Sequence, residues 1–264
     1  MYINRYILLF IVILIIIIYL SIRQLVQRFY FEPSDKILST EFFIEHIDNH
    51  QALIKKHIGN RRCLLISHGN AGNITYRTQL FRQLKNYPGD IYCYEYPSFG
   101  NLSGKLNIKG CVDQHLFWLN YLSDKYLEID LWGESIGGGI MAETIKTLDV
   151  KKNTDKKILN QIGTIYFQST FSSLKTLIPH ISGFLSLCYR IFALNDLNTI
   201  KNLHHPNFQK LKIIQYHSPQ DEIIPFAEAL GIKNTCQKLA LNYQFIQISG
   251  DHNNPNIIFN NLYQ

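Results

Sequence analysis

The chain has 264 residues, of which 46% are apolar, 13% aromatic and only 17% charged, with a formal net charge of +6. This is enough for one sizeable core and too apolar for disorder, and 15 Gly, 8 Pro and 5 Cys exclude a fibre and a disulfide scaffold. Basic pairs at Lys55-Lys56, Arg61-Arg62, Lys151-Lys152 and Lys156-Lys157 stay scattered, with no nucleic-acid-binding signature beside them; attraction to an anionic membrane surface fits them better than nucleic acid.

From Tyr6 to Ile22 the run YILLFIVILIIIIYLSI carries no charge, with Arg5 before it and Arg23 and Arg28 after it. As a helix it spans about 26 Å, near the low end of what crosses a bilayer core of roughly 30 Å. The following RQLVQRFYF offers no small-residue cleavage site, so the expectation is an uncleaved single-pass anchor over 1–23, with a juxtamembrane linker over 24–40. Positive charges flank the run on both sides, and the charge rule does not choose which side of the membrane the remainder occupies.

Residues 41–264 alternate short β-type runs with helical ones, a pattern that predicts a mainly parallel sheet flanked by helices, an α/β architecture. FFIEHI and QALIKKHI around Asp48-Asn49 predict an antiparallel hairpin. CLLISHG, DIYCYEYP, EIDLWGES, GTIYFQST, LKIIQYHS and YQFIQISG predict six further strands, apolar enough for both sheet faces to be covered. Helices are expected over Ile74 to Asn86, Asn107 to Lys125, Ile136 to Leu148, Pro225 to Lys238 and, briefly, from Pro255, while KKNTDKK from Lys151 to Lys157 is expected as a polar surface loop. The segment 172–210 breaks the alternation with large apolar residues, and is expected to form a small helical cap over one end of the sheet. Cys63, Cys93, Cys111, Cys188 and Cys236 are widely spaced with no C-x-x-C pair, which predicts neither a metal site nor a disulfide framework; Cys63 and Cys93 read as core.

Gly133-Glu134-Ser135-Ile136-Gly137 follows an apolar strand and opens a helix. In that context G-x-S-x-G is a nucleophile elbow, with Ser135 projected from a tight turn and the helix amides aimed at the reaction centre. A serine hydroxyl needs a histidine to take its proton, and the histidine needs a carboxylate to orient it. Asp221, after the strand LKIIQYHS, and His252, after YQFIQISG, complete the order serine, acid, histidine, each past the end of a strand where open α/β sheets place their sites. No carboxylate occupies Gln168-Ser169-Thr170 after the preceding strand. Asp251 reads as a turn residue, His217 as support for the acid loop, and His204 and His205 as exposed. His68-Gly69-Asn70-Ala71-Gly72-Asn73, after CLLIS, supplies a turn whose amides can meet an oxyanion: Asn70, or Ala71 in second place, with the amide of Ile136 as the other donor. The loop has neither G-K-[ST] nor G-x-G-x-x-G, the phosphate-cradling alternatives, and no metal or organic cofactor is expected.

HGNAGN, YEYPSFGNLSG from Tyr94 to Gly104, GESIGGG, HSPQDEIIP and GDHNN together resemble the Bem46-like group of α/β-hydrolase proteins, membrane-anchored serine hydrolases, over about Phe42 to His252. The resemblance implies an α/β-hydrolase fold behind an N-terminal anchor. Relatives sharing the HGNA loop act as protein depalmitoylases, so it also implies a fatty-acyl ester or thioester, on a lipid or a lipidated protein, as substrate class. A peptidase of the same fold uses the same constellation, and a silent membrane scaffold is the reading from outside enzymology. Asn101-Leu102-Ser103 is a sequon in an expected exposed loop, whereas Asn73-Ile74-Thr75 lies too near the site to be a good acceptor.

Overall fold

The computed structural model describes residues 5–28, 31–57, 59–181, 183, 186–187, 191 and 196–257. It opens with a helix, α1 (Arg5–Arg28), whose window Arg5–Ile22 is long and apolar enough to cross a membrane and has none of its residues buried against protein. The helix runs on through the first residues of the expected linker.

Among the described residues eight strands form one sheet: β1 (Phe43–Ile47), β2 (His50–Lys55), β3 (Arg62–Ser67), β4 (Asp90–Tyr94), β5 (Glu128–Glu134), β6 (Ile162–Gln168), β7 (Lys212–His217) and β8 (Tyr243–Gln247). Their spatial order is β1-β2-β4-β3-β5-β6-β7-β8, antiparallel at the β1/β2 and β2/β4 junctions and parallel elsewhere. The hairpin turns at Asp48, whose φ of 48° is one that Asp tolerates, and closes on the Ile47 to His50 pair. The predicted strands and their mainly parallel arrangement are those observed.

Alternation along the strands feeds two apolar layers. In β3, Cys63 and Leu65 join the layer under α3 (Ile108–Ser123), α4 (Ile136–Thr147), α5 (Asn153–Gln161) and α8 (Phe226–Lys238), while Leu64 and Ile66 join the layer under α2 (Thr78–Gln83). Trp118 of α3 lies in the first layer; Trp132 of β5 lies in the second, stacked on Tyr166 and Tyr216 of the next two strands at centroid distances of 5.2 and 5.5 Å. Asn107 starts α3 by accepting from the Gly110 amide at 2.8 Å. The helix expected over Ile74 to Asn86 divides into a 3-10 turn (Ile74–Arg77) and α2.

The loop expectation for KKNTDKK is corrected: α5 begins at Asn153, with Asp155 in its first turn, Ile158 buried beneath α3 and Lys157 paired with Asp124 at 2.7 Å. Its apolar anchors, buried Ile158 and partly buried Leu159, lie just past the polar run, so the run alone carries no helical stripe. The cap segment is described at α6 (Leu174–Ile181) and α7 (Thr199–Leu203), and its two ends are stapled by a Ser173–Asn198 bridge and the Leu174 amide bonding the Leu197 carbonyl at 3.0 Å. The rest of the cap expectation falls partly on residues outside those described, as does Cys188; the other four cysteines are free and buried. Residues 255–257 are not helical, and any final helix lies beyond the described residues.

Candidate active site

Ser135 sits at the β5–α4 junction with φ 53° and ψ −118°, a strained conformation for a residue with a side chain. The surrounding glycines make that turn possible. A Cβ on Gly137 would lie 1.9 Å from the Ser67 carbonyl oxygen and 2.7 Å from that of His68, and one on Gly133 would lie 2.3 Å from Gly138 Cα. The start of α4 therefore presses directly on the end of β3 and on the loop after it, which brings His68-Gly69-Asn70 beside the turn that carries Ser135. Ile136 is the first residue of α4, where an amide has no intrahelical acceptor.

Asp221 lies in the turn after β7 with its side chain buried. Its Oδ1 accepts from the amides of Ile223 and Ile224 at 3.1 and 2.7 Å, and His252 Nδ1 donates toward the carboxylate, 2.9 Å from Oδ1 and 2.8 Å from Oδ2. Burial works to raise the Asp221 pKa, but the hydrogen bond from His252, its charge and the Ile224 amide together hold the carboxyl below its ordinary value. A proton fixed on Nδ1 leaves Nε2 of His252 as the basic nitrogen. The structure brings Asp221 and His252 into direct contact, and among the described residues no hydrogen bond joins Ser135 Oγ to His252.

Two neighbours hold the histidine loop that the sequence reading did not identify. Glu222 Oε2 accepts from the His252 amide at 3.0 Å, and Ser218 Oγ donates to the Gly250 carbonyl at 2.6 Å. His217 supports the acid turn as expected, with Nε2 donating to the Ile224 carbonyl at 3.0 Å and burial depressing its pKa. Asp251 is a turn residue, accepting from the Asn254 amide at 2.7 Å. His204 is exposed as expected, whereas His205 is half-buried and caps the 3-10 turn Pro206–Phe208.

Behind the glycine loop lies a buried pair. His68 Nδ1 donates to the Gly69 carbonyl at 2.8 Å; its Nε2 is 3.0 Å from Glu95 Oε1, with one proton between them, and both side chains are wholly buried. Glu95 also accepts from the amides of Ile74 at 3.0 Å and Tyr96 at 3.3 Å, and the Tyr96 hydroxyl donates to the His68 carbonyl at 2.8 Å. On the other side, Arg77 Nε lies 2.8 Å from Glu134 Oε2, the residue before Ser135, and Arg77 Nη2 donates to the Ala71 carbonyl at 3.0 Å. The loop is therefore tied both to β4 and to the elbow. Arg77 and Glu134 line a cavity of about 310 Å³ with Tyr76, Gln83, Gln168 and Asn253, next to the histidine loop. Asn73 is buried and spent on internal bonds, and Asn101 is exposed, so of the two sequons only Asn101 presents its side chain to solvent.

The chain is 27% identical over 248 residues to an uncharacterized protein of Acanthamoeba polyphaga mimivirus, an alignment covering 88% of this chain and 77% of that protein. It is 25% identical over 202 residues to the protein Bem46 of Schizosaccharomyces pombe, covering 72% of this chain and 61% of Bem46. No protein-family profile matches it. Among solved structures it superposes on an α/β-hydrolase of Vibrio vulnificus with a TM-score of 0.61 at 15% identity, over 81% of this chain and 75% of the other. It superposes on an esterase of Pyrococcus furiosus with a TM-score of 0.59 at 12% identity, over 84% and 88% of the two chains. The chain has the α/β-hydrolase fold, and the resemblance to the Bem46-like group read from its motifs is borne out.

Proposed function

We propose that this α/β-hydrolase is a membrane-anchored serine hydrolase that cleaves an ester or thioester, with a long fatty-acyl group as its acyl part. The observation that supports it most directly is His252 Nδ1 held by both oxygens of Asp221 at the same sheet edge as Ser135 on its strained elbow. In this reading Ser135 Oγ attacks the carbonyl carbon while its proton passes to His252 Nε2, and Asp221 stabilises the imidazolium that results. The amides of Asn70 and Ile136 take the oxyanion, each worth about 3–4 kcal/mol in comparable sites. Collapse of the tetrahedral intermediate expels the alcohol or thiol, which takes the proton from His252. Water activated by the same histidine then frees the acid from the acyl enzyme. The exposed apolar α1 and the apolar cap segment support a fatty substrate and a single-pass anchor, and an esterase among the structural neighbours is in keeping with ester chemistry.

Labelling of the full chain in detergent with a fluorophosphonate probe tests the reading. Native protein is expected to label, Ser135→Ala not at all, and His252→Ala at a rate reduced by several orders of magnitude. A folded native chain that does not label refutes it.

A further inference from the structure

The segment between the helix and the first strand does more than connect them. Phe31 is buried edge-on against Tyr96 and Phe99, with centroids 6.4 and 6.2 Å away. Glu32–Pro33 then pairs in parallel with Ala71–Gly72: the Glu32 amide donates to the Asn70 carbonyl at 2.8 Å and the Ser34 amide to the Gly72 carbonyl at 2.9 Å. The strap continues with Asn73 Nδ2 donating to the carbonyls of Ser34 and Lys36, and the Leu38 amide donating to Thr75 Oγ1 at 3.0 Å. Asn70 to Thr75 follow the C-terminal end of β3, and Tyr96 and Phe99 follow that of β4. Both lie on the edge that carries Ser135, Asp221 and His252.

The anchor consequently joins the domain at its catalytic edge. Arg28 and Glu32 are four residues apart, a reach of at most about 14 Å, and the helix from Ile22 to Arg28 rises only about 9 Å. The cap, which follows β6 at the same edge, carries Ile181, Leu187 and Ile191, each more than half exposed. A sheet edge that holds both a membrane helix by a short bonded strap and outward apolar side chains is suited to lie on the bilayer.

We propose that the strap sets the mouth of the site on the membrane surface, so that the substrate is a long-chain acyl ester or thioester held in the same bilayer as the anchor. The proposal rests on the hydrolase reading and names where its substrate resides. Full-length protein reconstituted in phosphatidylcholine vesicles is compared with a chain carrying a twelve-residue proline-rich spacer inserted after Arg28, which stands the domain off by about 37 Å and leaves the strap bonds in place. Three probes are used: dissolved p-nitrophenyl acetate, a palmitoyl thioester lipid in the vesicle, and a palmitoyl thioester on a vesicle-tethered peptide. The expected result is a fall of about tenfold or more on at least one bilayer probe with acetate turnover within about twofold, and whichever bilayer probe responds identifies the source of the acyl group. Equal effects on all three probes, or none, overturn the proposal. Failure of the hydrolase reading is separately visible, because native protein would then show no Ser135-dependent acetate turnover.

Discussion

Glu95 is where two backbone amides and His68 Nε2 converge from the glycine loop and its neighbours, which makes its removal a sharp test of how that loop is held. Glu95→Ala strands the Ile74 amide and His68 Nε2 in a site with no access to solvent. A buried polar group left unpaired costs about 1–3 kcal/mol, so about 2–6 kcal/mol for the two. At about 2–4 °C per kcal/mol for a domain of this size, the midpoint of thermal unfolding should fall by about 4–24 °C. Glu95→Gln should behave differently. With His68 Nδ1 already donating to the Gly69 carbonyl, Nε2 can accept from the new side-chain amide while the remaining oxygen accepts from Ile74. Only the long contact from the Tyr96 amide is lost, a cost of about 1 kcal/mol. Near-ultraviolet circular dichroism of the full chain in detergent, followed against temperature, measures both. A midpoint for Glu95→Ala within about 2 °C of native, or a Gln variant as unstable as the Ala variant, would refute the reasoning.

Gly137→Ala drives a methyl group into two backbone carbonyls and is expected to cost about 3 kcal/mol or more, whereas Gly139→Ala, whose Cβ would meet only Leu197 and Phe171 side chains at 3.3 Å and beyond, should fold; denaturant midpoints of the pair decide it, and equal midpoints would contradict the close packing of the elbow. His115 is wholly buried with neither ring nitrogen bonded, and burial pushes its pKa down to about 3. The unfolded chain takes up that proton near the ordinary value of 6.5 and the folded chain does not, so stability holds above pH 6.5 and falls as pH drops toward 3, by about 4–5 kcal/mol from this group. His217 adds to the same limb. His115→Phe should flatten that limb in pH-dependent urea titrations; an unchanged slope would show that the ring is not the source.

The sheet was legible because β3 to β7 are covered on both faces and read as bare apolar runs, and because the Asp48-Asn49 turn is spelled in residues that tolerate it. The elbow and the Asp221–His252 pair were legible for a related reason: each follows directly on a strand, so local order places them at one edge. What escaped depends on partners far along the chain. The strap FEPSDKIL has no periodicity of its own and finds Ala71–Gly72 some forty residues later. Glu95 carried a faint signal, a lone charge among YCYEYP, but nothing in that run points back to His68. Glu222 and Arg77 likewise stand among polar neighbours, and only the folded loops show what they hold. α5 was missed because its one buried side chain follows the polar run.

The two tryptophans, divided between opposite faces of the sheet, give the molecule a pair of optical reporters. Trp118 senses the layer beneath α3 to α5, and Trp132, stacked on Tyr166 and Tyr216 with its indole N–H bonded to Gln168 at 2.9 Å, senses the layer that ends at the cavity beside Glu134. A chain with Trp118 replaced by Phe would emit from the second layer alone, so ligand entering that cavity could be followed by fluorescence with no label added.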